Sequence, residues 1–325
     1  MIDLSGRPLR DTRRDRELFV DRETEVKAIR AALAHGGNVL VLGARGSGKS
    51  SLLHYVQHLL DVEDARPVVA VDGRTATTAQ EFLALLRDRL KVLSSSNDPQ
   101  LLLWPPRTET QTLLGALTEM RAALPEVETV VLVDEMPSAE AARTLFGRLR
   151  DELWELPLTW CVTADVRDRG AYTEPPADAF WRKIVELPPL TPGQSEELLR
   201  RRLEGEQPAD ALDWIVENAD GNPRRLLSLA HDVVVDGSDP NELMTKQRDR
   251  AAKVGQLSEP ARRLLAELEA GGPASPSDEG LLQRLGWSRA RASQVFGELL
   301  EHGLVLASTA PSAGSRPRRL YEVAR

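Results

Sequence analysis

Apolar runs of four to six residues punctuate the first 190 positions, each followed by a polar or helical stretch. They are Val39-Leu40-Val41-Leu42, Pro67-Val68-Val69-Ala70-Val71-Asp72, Glu128-Thr129-Val130-Val131-Leu132-Val133, Leu158-Thr159-Trp160-Cys161-Val162-Thr163 and Lys183-Ile184-Val185-Glu186-Leu187. Unbroken apolar runs of this length suit strands buried on both faces of a parallel sheet. Between them the spacing predicts helices over Glu25–Leu33, with Asp21 as N-cap and Gly36-Gly37 ending the helix, and over about 78–92, 108–124 and 138–152. The polar, Pro-bearing segment 94–107 reads as a surface excursion and 167–179 as a Gly/Pro-rich loop. Strands alternating with helices predict an α/β fold, a parallel sheet between helical layers.

Beyond Pro188-Pro189-Leu190-Thr191-Pro192 the strand runs stop. Helices are expected over 194–203 and 209–219, then a turn at Asp220-Gly221-Asn222-Pro223, then a helix over 224–235. From about 256 a separate unit begins. Helices over 260–270, 278–285 and 288–301, with Ser288 as N-cap and Val295, Leu299 and Leu300 inward, precede a hairpin of 304–308 and 319–323. That order predicts a winged helix-turn-helix. The expected division is a charged, solvated arm over 1–17, a sheet core over 18–190, a helical lid over 191–254 and the winged unit over 255–325.

The chemistry concentrates at two strand ends. Gly43-Ala44-Arg45-Gly46-Ser47-Gly48-Lys49-Ser50 fits G-x-x-x-x-G-K-[ST] directly after the first apolar run, with Ser51 continuing into a helix. Such a loop aims backbone N–H groups and a helix N-terminus at one point, where a polyphosphate is held; Lys49 would reach the β/γ-phosphates and Ser50 would ligate Mg²⁺. Asp134 and Glu135 end the third apolar run. Asp134 is suited to hold Mg²⁺ through its water shell, and Glu135 to polarise a water for attack on the γ-phosphate.

Composition adds bounds. The 325 residues suffice for two or three domains. The one cysteine, Cys161, lies in an apolar run, so it reads as a buried structural thiol and the compartment as reducing. No stretch reaches the ~20 apolar residues of a membrane span, and the expectation is a cytoplasmic protein. The formal charge of -8 argues against nucleic-acid binding by the whole surface but leaves room for one basic module. Arg289, Arg291, Ser293 and Gln294 occupy the early turns of the third helix of the winged unit and Arg316, Arg318 and Arg319 its wing, the two parts that would face duplex DNA. Glu298 and Glu301 lie on the same helix and count against that reading.

Taken in order, these segments resemble an AAA+ ATPase of the origin-recognition-initiator and STAND-like neighbourhood, over about residues 17–325. The resemblance implies ATP or ADP as ligand, with Phe19 and Val20 of Phe19-Val20-Asp21-Arg22-Glu23 beside the adenine. It implies that Thr163 is a polar sensor orienting water near the γ-phosphate, and that Arg224 of Gly221-Asn222-Pro223-Arg224 is a second sensor turned toward the phosphates, with Arg225 as its competitor. It also implies assembly, as a homo-oligomer or with a partner ATPase, in which an arginine acts on a neighbouring subunit. Arg182 is the candidate, with Arg167 and Arg169 as competitors. Two functions follow: a switch coupling ATP state to DNA, or a STAND-like signalling ATPase whose winged unit holds the inactive state.

Overall fold

The computed structural model describes residues 3–64, 66–94, 112–125, 127–203, 209–310 and 318–324. The chain divides into two compact units, Met1–Gly237 and Ser238–Arg325. In the first, strands β1 (Val39–Gly43), β2 (Val68–Val71), β3 (Thr129–Asp134), β4 (Leu158–Asp165) and β5 (Lys183–Leu187) form a sheet in the order β2-β3-β4-β1-β5. All its pairings are parallel.

Side chains alternate across this sheet, so each apolar run feeds two cores. Leu40, Leu42, Val131, Val133, Trp160 and Val162 pack on one face beneath the helices Ala79–Ser94 and Leu113–Ala122. Val39, Val41, Val130, Leu132 and Cys161 pack on the other, against Val26, Ile29 and Leu33 of the helix Glu23–Ala34 and Leu52, Val56 and Leu60 of the helix Lys49–Glu63. Cys161 is fully buried, and desolvation pushes its thiol up to about 12, which makes it an inert core group.

A third core joins Leu190 to Leu198 and Leu199 of the helix Pro192–Arg202, Ile215 of Ala209–Asn218, and Leu226 and Leu229 of Pro223–Ala230. The second unit contains helices Pro240–Gln256, Glu259–Gly271, Glu279–Leu285 and Arg289–Glu301, then strands β6 (Val305–Ala310) and β7 (Arg318–Val323) in an antiparallel pair. No described helix is long and apolar enough to cross a membrane.

Several expectations need correcting. The first residues are not a solvated arm: Leu4 packs into the third core, Leu9 is buried, and Asp15 is 1% exposed in the short helix Arg13–Glu17. Their charges are matched internally, which is why the segment reads as soluble in sequence. Arg7 grips Asp15 with both Nη1 and Nη2, at 2.7 and 2.8 Å. Asp21 is not the N-cap; Arg22 is, in a left-handed conformation without a side-chain cap bond. Residues 167–179 are not an open loop but carry the helix Arg169–Thr173 and a 3₁₀ turn Ala177–Phe180, because Ala171, Tyr172 and Ala177 anchor them in the core. The boundary at 254/255 falls inside the helix Pro240–Gln256, which belongs to the second unit and packs Val254 on its core. The excursion at 94–107 lies outside the described residues, save Ser94 at the end of its helix.

Candidate functional site

β1 ends at Gly43, and the helix Lys49–Glu63 begins six residues later with Gly48, in a left-handed conformation, before it. Both neighbours of β1 in the sheet are in register with it, Gly43 facing Asp165 of β4 and Leu187 of β5. The phosphate loop therefore rises from the C-terminal edge of a parallel sheet, where such folds bind ligands. Lys49 is 5% exposed, not a surface lysine. Its Nζ donates to the carbonyls of Gly43 at 3.0 Å and Ala44 at 3.3 Å and lies 3.3 Å from Glu135 Oε1. The ammonium is thus held against the carbonyls at the start of the loop.

Asp134 is the hub of the acidic side. Its carboxylate accepts from Ser50 Oγ at 2.8 and 3.0 Å, from Thr163 Oγ1 at 3.0 Å and from Arg74 Nη2 at 3.2 Å. Thr163, fully buried opposite Asp134 in β4, also accepts the Glu135 N–H at 3.0 Å. The structure brings Thr163 to the site, with its one hydroxyl proton given to Asp134 rather than free to orient a water. Glu135 has φ +61°, a strained setting for a non-glycine residue. Thr163 holds it from one side and the turn after β2 from the other, where a Cβ on Gly73 would come within 2.0 Å of the Glu135 carbonyl oxygen.

That turn was missed in the sequence reading. Arg74 donates through Nε and Nη2 to the two oxygens of Asp72, both at 2.9 Å, while it reaches Asp134. The hydrogen bond to Asp72 heads the interactions that raise the Arg74 pKa, so it stays charged. The available signal was Asp72-Gly73-Arg74 at the end of an apolar run, a charged pair flanking a residue without a side chain.

The helical section reaches the phosphate loop through its expected motif. Asn222 Nδ2 donates to the Arg45 carbonyl at 2.8 Å, and the Arg224 N–H to the Gly46 carbonyl at 3.3 Å. Gly221 makes the approach possible, because its φ is +64° and a Cβ there would meet Leu190 O at 2.3 Å. Arg225 instead pairs with Asp220 at 2.5 Å. Arg224 is exposed, with its Cγ 3.6 Å from where a Cβ on Gly6 would stand. Ser51, expected among the ligand-binding residues, accepts the Leu9 N–H on its Oγ at 3.0 Å. Phe19 stacks on Tyr55 with ring centroids 4.3 Å apart, and Val20 packs on the third core, so this segment ties the helix after the phosphate loop to the helices beyond residue 190.

The three candidate trans arginines separate by place. Arg167 pairs with Asp165 and Arg169 with Glu186, both by the C-terminal strand edge. Arg182 is exposed and precedes Lys183, which lies opposite Val39 at the other end of β1. Roughly 13 Å of strand separates it from its own loop, at about 3.3 Å per residue. Arg182 therefore stands away from the phosphate loop of its own chain.

In the second unit Ser288 caps the helix Arg289–Glu301, and Arg289, Arg291, Ser293 and Gln294 are all exposed on it. Arg291 lies over Trp287, 5.2 Å from its ring centroid, and Arg319 over Tyr321 at 5.4 Å. Arg318 pairs with Ala310 in the hairpin, and Arg316 lies outside the described residues. Glu298 turns to Ser258, accepting from its N–H and hydroxyl, both at 2.7 Å.

The loop fits a polyphosphate: Ser47 Oγ is buried with no partner among the described residues, and Gly46 and Gly48 take left-handed conformations. The Ser50 hydroxyl and Asp134 carboxylate offer the oxygen donors that Mg²⁺ prefers.

Residues 18–162 match the family described as AAA ATPase domain. An uncharacterized HTH-type transcriptional regulator of Methanocaldococcus jannaschii is 22% identical over 267 residues, 69% of this chain and 64% of its own length, so the chain spans less than two thirds of that relative. Among solved structures, the ORC1 protein of Aeropyrum pernix in complex with DNA is similar at TM-score 0.55 and 15% identity, over 94% of this chain and 89% of that one. CDC6P of Pyrobaculum aerophilum gives 0.54 and 14%, over 95% and 93%. A Walker-type ATPase of Pyrococcus abyssi gives 0.52 and 21%, over 98% and 96%. At these identities the structural likeness establishes the fold, a P-loop NTPase sheet with its helices.

Proposed function

We propose that this chain, whose residues 18–162 form an AAA ATPase domain, is a Mg²⁺-dependent cytoplasmic ATPase whose nucleotide state governs its assembly on DNA through a winged helix in the second unit. The observation that carries the ATPase reading is the convergence of Ser50 and Thr163 on Asp134, with Glu135 tied to Thr163 through its N–H and paired with Lys49. Lys49 binds the β/γ-phosphates, and Glu135 takes a proton from the attacking water as its oxygen bonds to the γ-phosphorus and ADP leaves. Mg²⁺, held by Ser50 and Asp134, supplies neutralisation of phosphate charge. Thr163 holds the Asp134 carboxylate and the Glu135 backbone in place. Arg224, held beside Gly46, carries a cation from the lid to the phosphates, and Phe19 and Val20 are the adenine-side residues.

The DNA reading is supported by the exposed Arg289, Arg291, Ser293 and Gln294, with Arg318 and Arg319 on the hairpin. The diversion of Glu298 to Ser258 removes one of the two acidic side chains that counted against that surface. The Aeropyrum protein's DNA complex and the helix-turn-helix name of the Methanocaldococcus relative point the same way.

The test measures phosphate release with and without Mg²⁺, then duplex binding over a salt series for protein that is nucleotide-free, ADP-bound, or ATP-loaded in the Glu135→Gln variant. We expect Mg²⁺-dependent hydrolysis, lost in Glu135→Gln while ATP stays bound. Duplex affinity should be highest with ATP and fall as salt rises, because phosphate contacts release counterions. Effector-triggered self-association without DNA affinity in any state would instead favour the signalling switch.

A further inference from the structure

Asp134 already has a cation on it. Arg74 is held by both oxygens of Asp72 and by a backbone bond from its own N–H to Asp72 Oδ1 at 3.0 Å, and from that fixed base it reaches Asp134 Oδ2. The base itself cannot slide. Gly73 abuts the Glu135 carbonyl so closely that no Cβ fits, and the Thr75 hydroxyl closes the turn on Asp72 O at 2.8 Å. A guanidinium forked on one carboxylate is preorganised and stays charged, so Arg74 bridges Asp72 to Asp134 as a fixed element.

Arg74 and Lys49 bring two cations to the acidic side, Arg74 joining Asp72 to Asp134 and Lys49 lying 3.3 Å from Glu135 Oε1. The Ser50 hydroxyl and the Asp134 carboxylate alone would offer a divalent ion the oxygen ligands it prefers. With Arg74 in place, an ion at Asp134 must share its carboxylate with a guanidinium and stand within a few ångströms of another positive charge, which costs affinity.

We propose that Arg74 is a positioning residue that acts through Asp134: it sets the carboxylate against Ser50 and keeps divalent affinity low until nucleotide phosphates add their own ligands and charge. The metal is thereby made conditional on the nucleotide. This rests on the reading of Ser50 and Asp134 as the metal's protein partners.

Mn²⁺ binding to the full-length protein, followed by electron paramagnetic resonance with and without ADP, tests it independently of turnover. Wild-type protein should bind Mn²⁺ weakly alone and far more tightly with ADP. Arg74→Ala should tighten binding without ADP by roughly tenfold, since it removes one nearby charge and frees Asp72, and should narrow the gain from ADP. Arg74→Lys, keeping the charge, should stay near wild type, and Arg74→Ala combined with Asp72→Asn should return toward it. Arg74→Gln repeats the test if the alanine variant does not fold. Unchanged or weaker Mn²⁺ binding in the neutral variants overturns the role of Arg74. Asp134→Asn separates the two readings: if it leaves Mn²⁺ binding with ADP intact, the metal assignment fails and the proposal falls with it; if it abolishes binding while Arg74→Ala changes nothing, only Arg74 is wrongly assigned.

Discussion

One hydroxyl, that of Thr163, donates to Asp134 Oδ1 and accepts from the Glu135 N–H, so it fixes in one stroke the acid proposed to hold metal and the acid proposed to handle the water. Thr163→Val keeps the shape and removes both bonds. Leaving a buried N–H unpaired costs about 1–3 kcal/mol, which urea denaturation should read as a lower midpoint. Turnover should fall further than nucleotide affinity, because Lys49 and the loop are untouched; equal losses would mean that Thr163 serves the fold alone. The phosphate loop and Asp134-Glu135 could be read from sequence because each is a contiguous segment whose chemistry is local. Arg74 could not, since its meaning depends on β2 lying beside β3, and a sequence does not say which strands are neighbours.

At the scale of elements, the central strands β1, β3 and β4 stood out because each is largely apolar on both faces, and the Asn222 turn because its residues favour one conformation. The segment before residue 18 hid its packing behind balanced charge: Leu4 and Leu9 are its buried apolar residues, and the Arg7 grip on Asp15 disguises a buried contact as a soluble stretch. That ion pair makes an acid-sensitive anchor. The hydrogen bonds from Arg7 lower Asp15 to about 2, against about 3.9 in an unfolded chain. A depressed folded pKa means stability present above about pH 4 and lost as pH falls toward 2. Thermal melts across that window should show wild type losing stability, and Asp15→Asn should be less stable at neutral pH with a shallower acid slope. A parallel slope in the two proteins would detach Asp15 from the effect.

For the whole molecule, Arg182 poses the question of assembly, because the sheet places it at the strand edge away from its own loop. If it completes a neighbour's site, Arg182→Ala should lower turnover without weakening nucleotide binding, and mixing it with Lys49→Ala protein should partly restore activity. An interface pairing intact Lys49 with intact Arg182 exists only in the mixture. Mixed oligomers that stay inactive would return the role to Arg167 or Arg169.

The burial of Leu4 among Leu198, Ile215 and Leu226 also sets a timetable for biosynthesis. Leu4 has these partners about two hundred positions later in the chain, which at about 5–20 residues per second is a delay of roughly 10–40 s. Throughout that interval the helix after the phosphate loop has Ser51 and His54 to receive Leu9, while Leu4 has nothing to pack on. The nucleotide site therefore gains its last structural support only when the lid helices have emerged, so a chain stalled before residue 226 carries every phosphate-loop residue yet lacks the framework that steadies them.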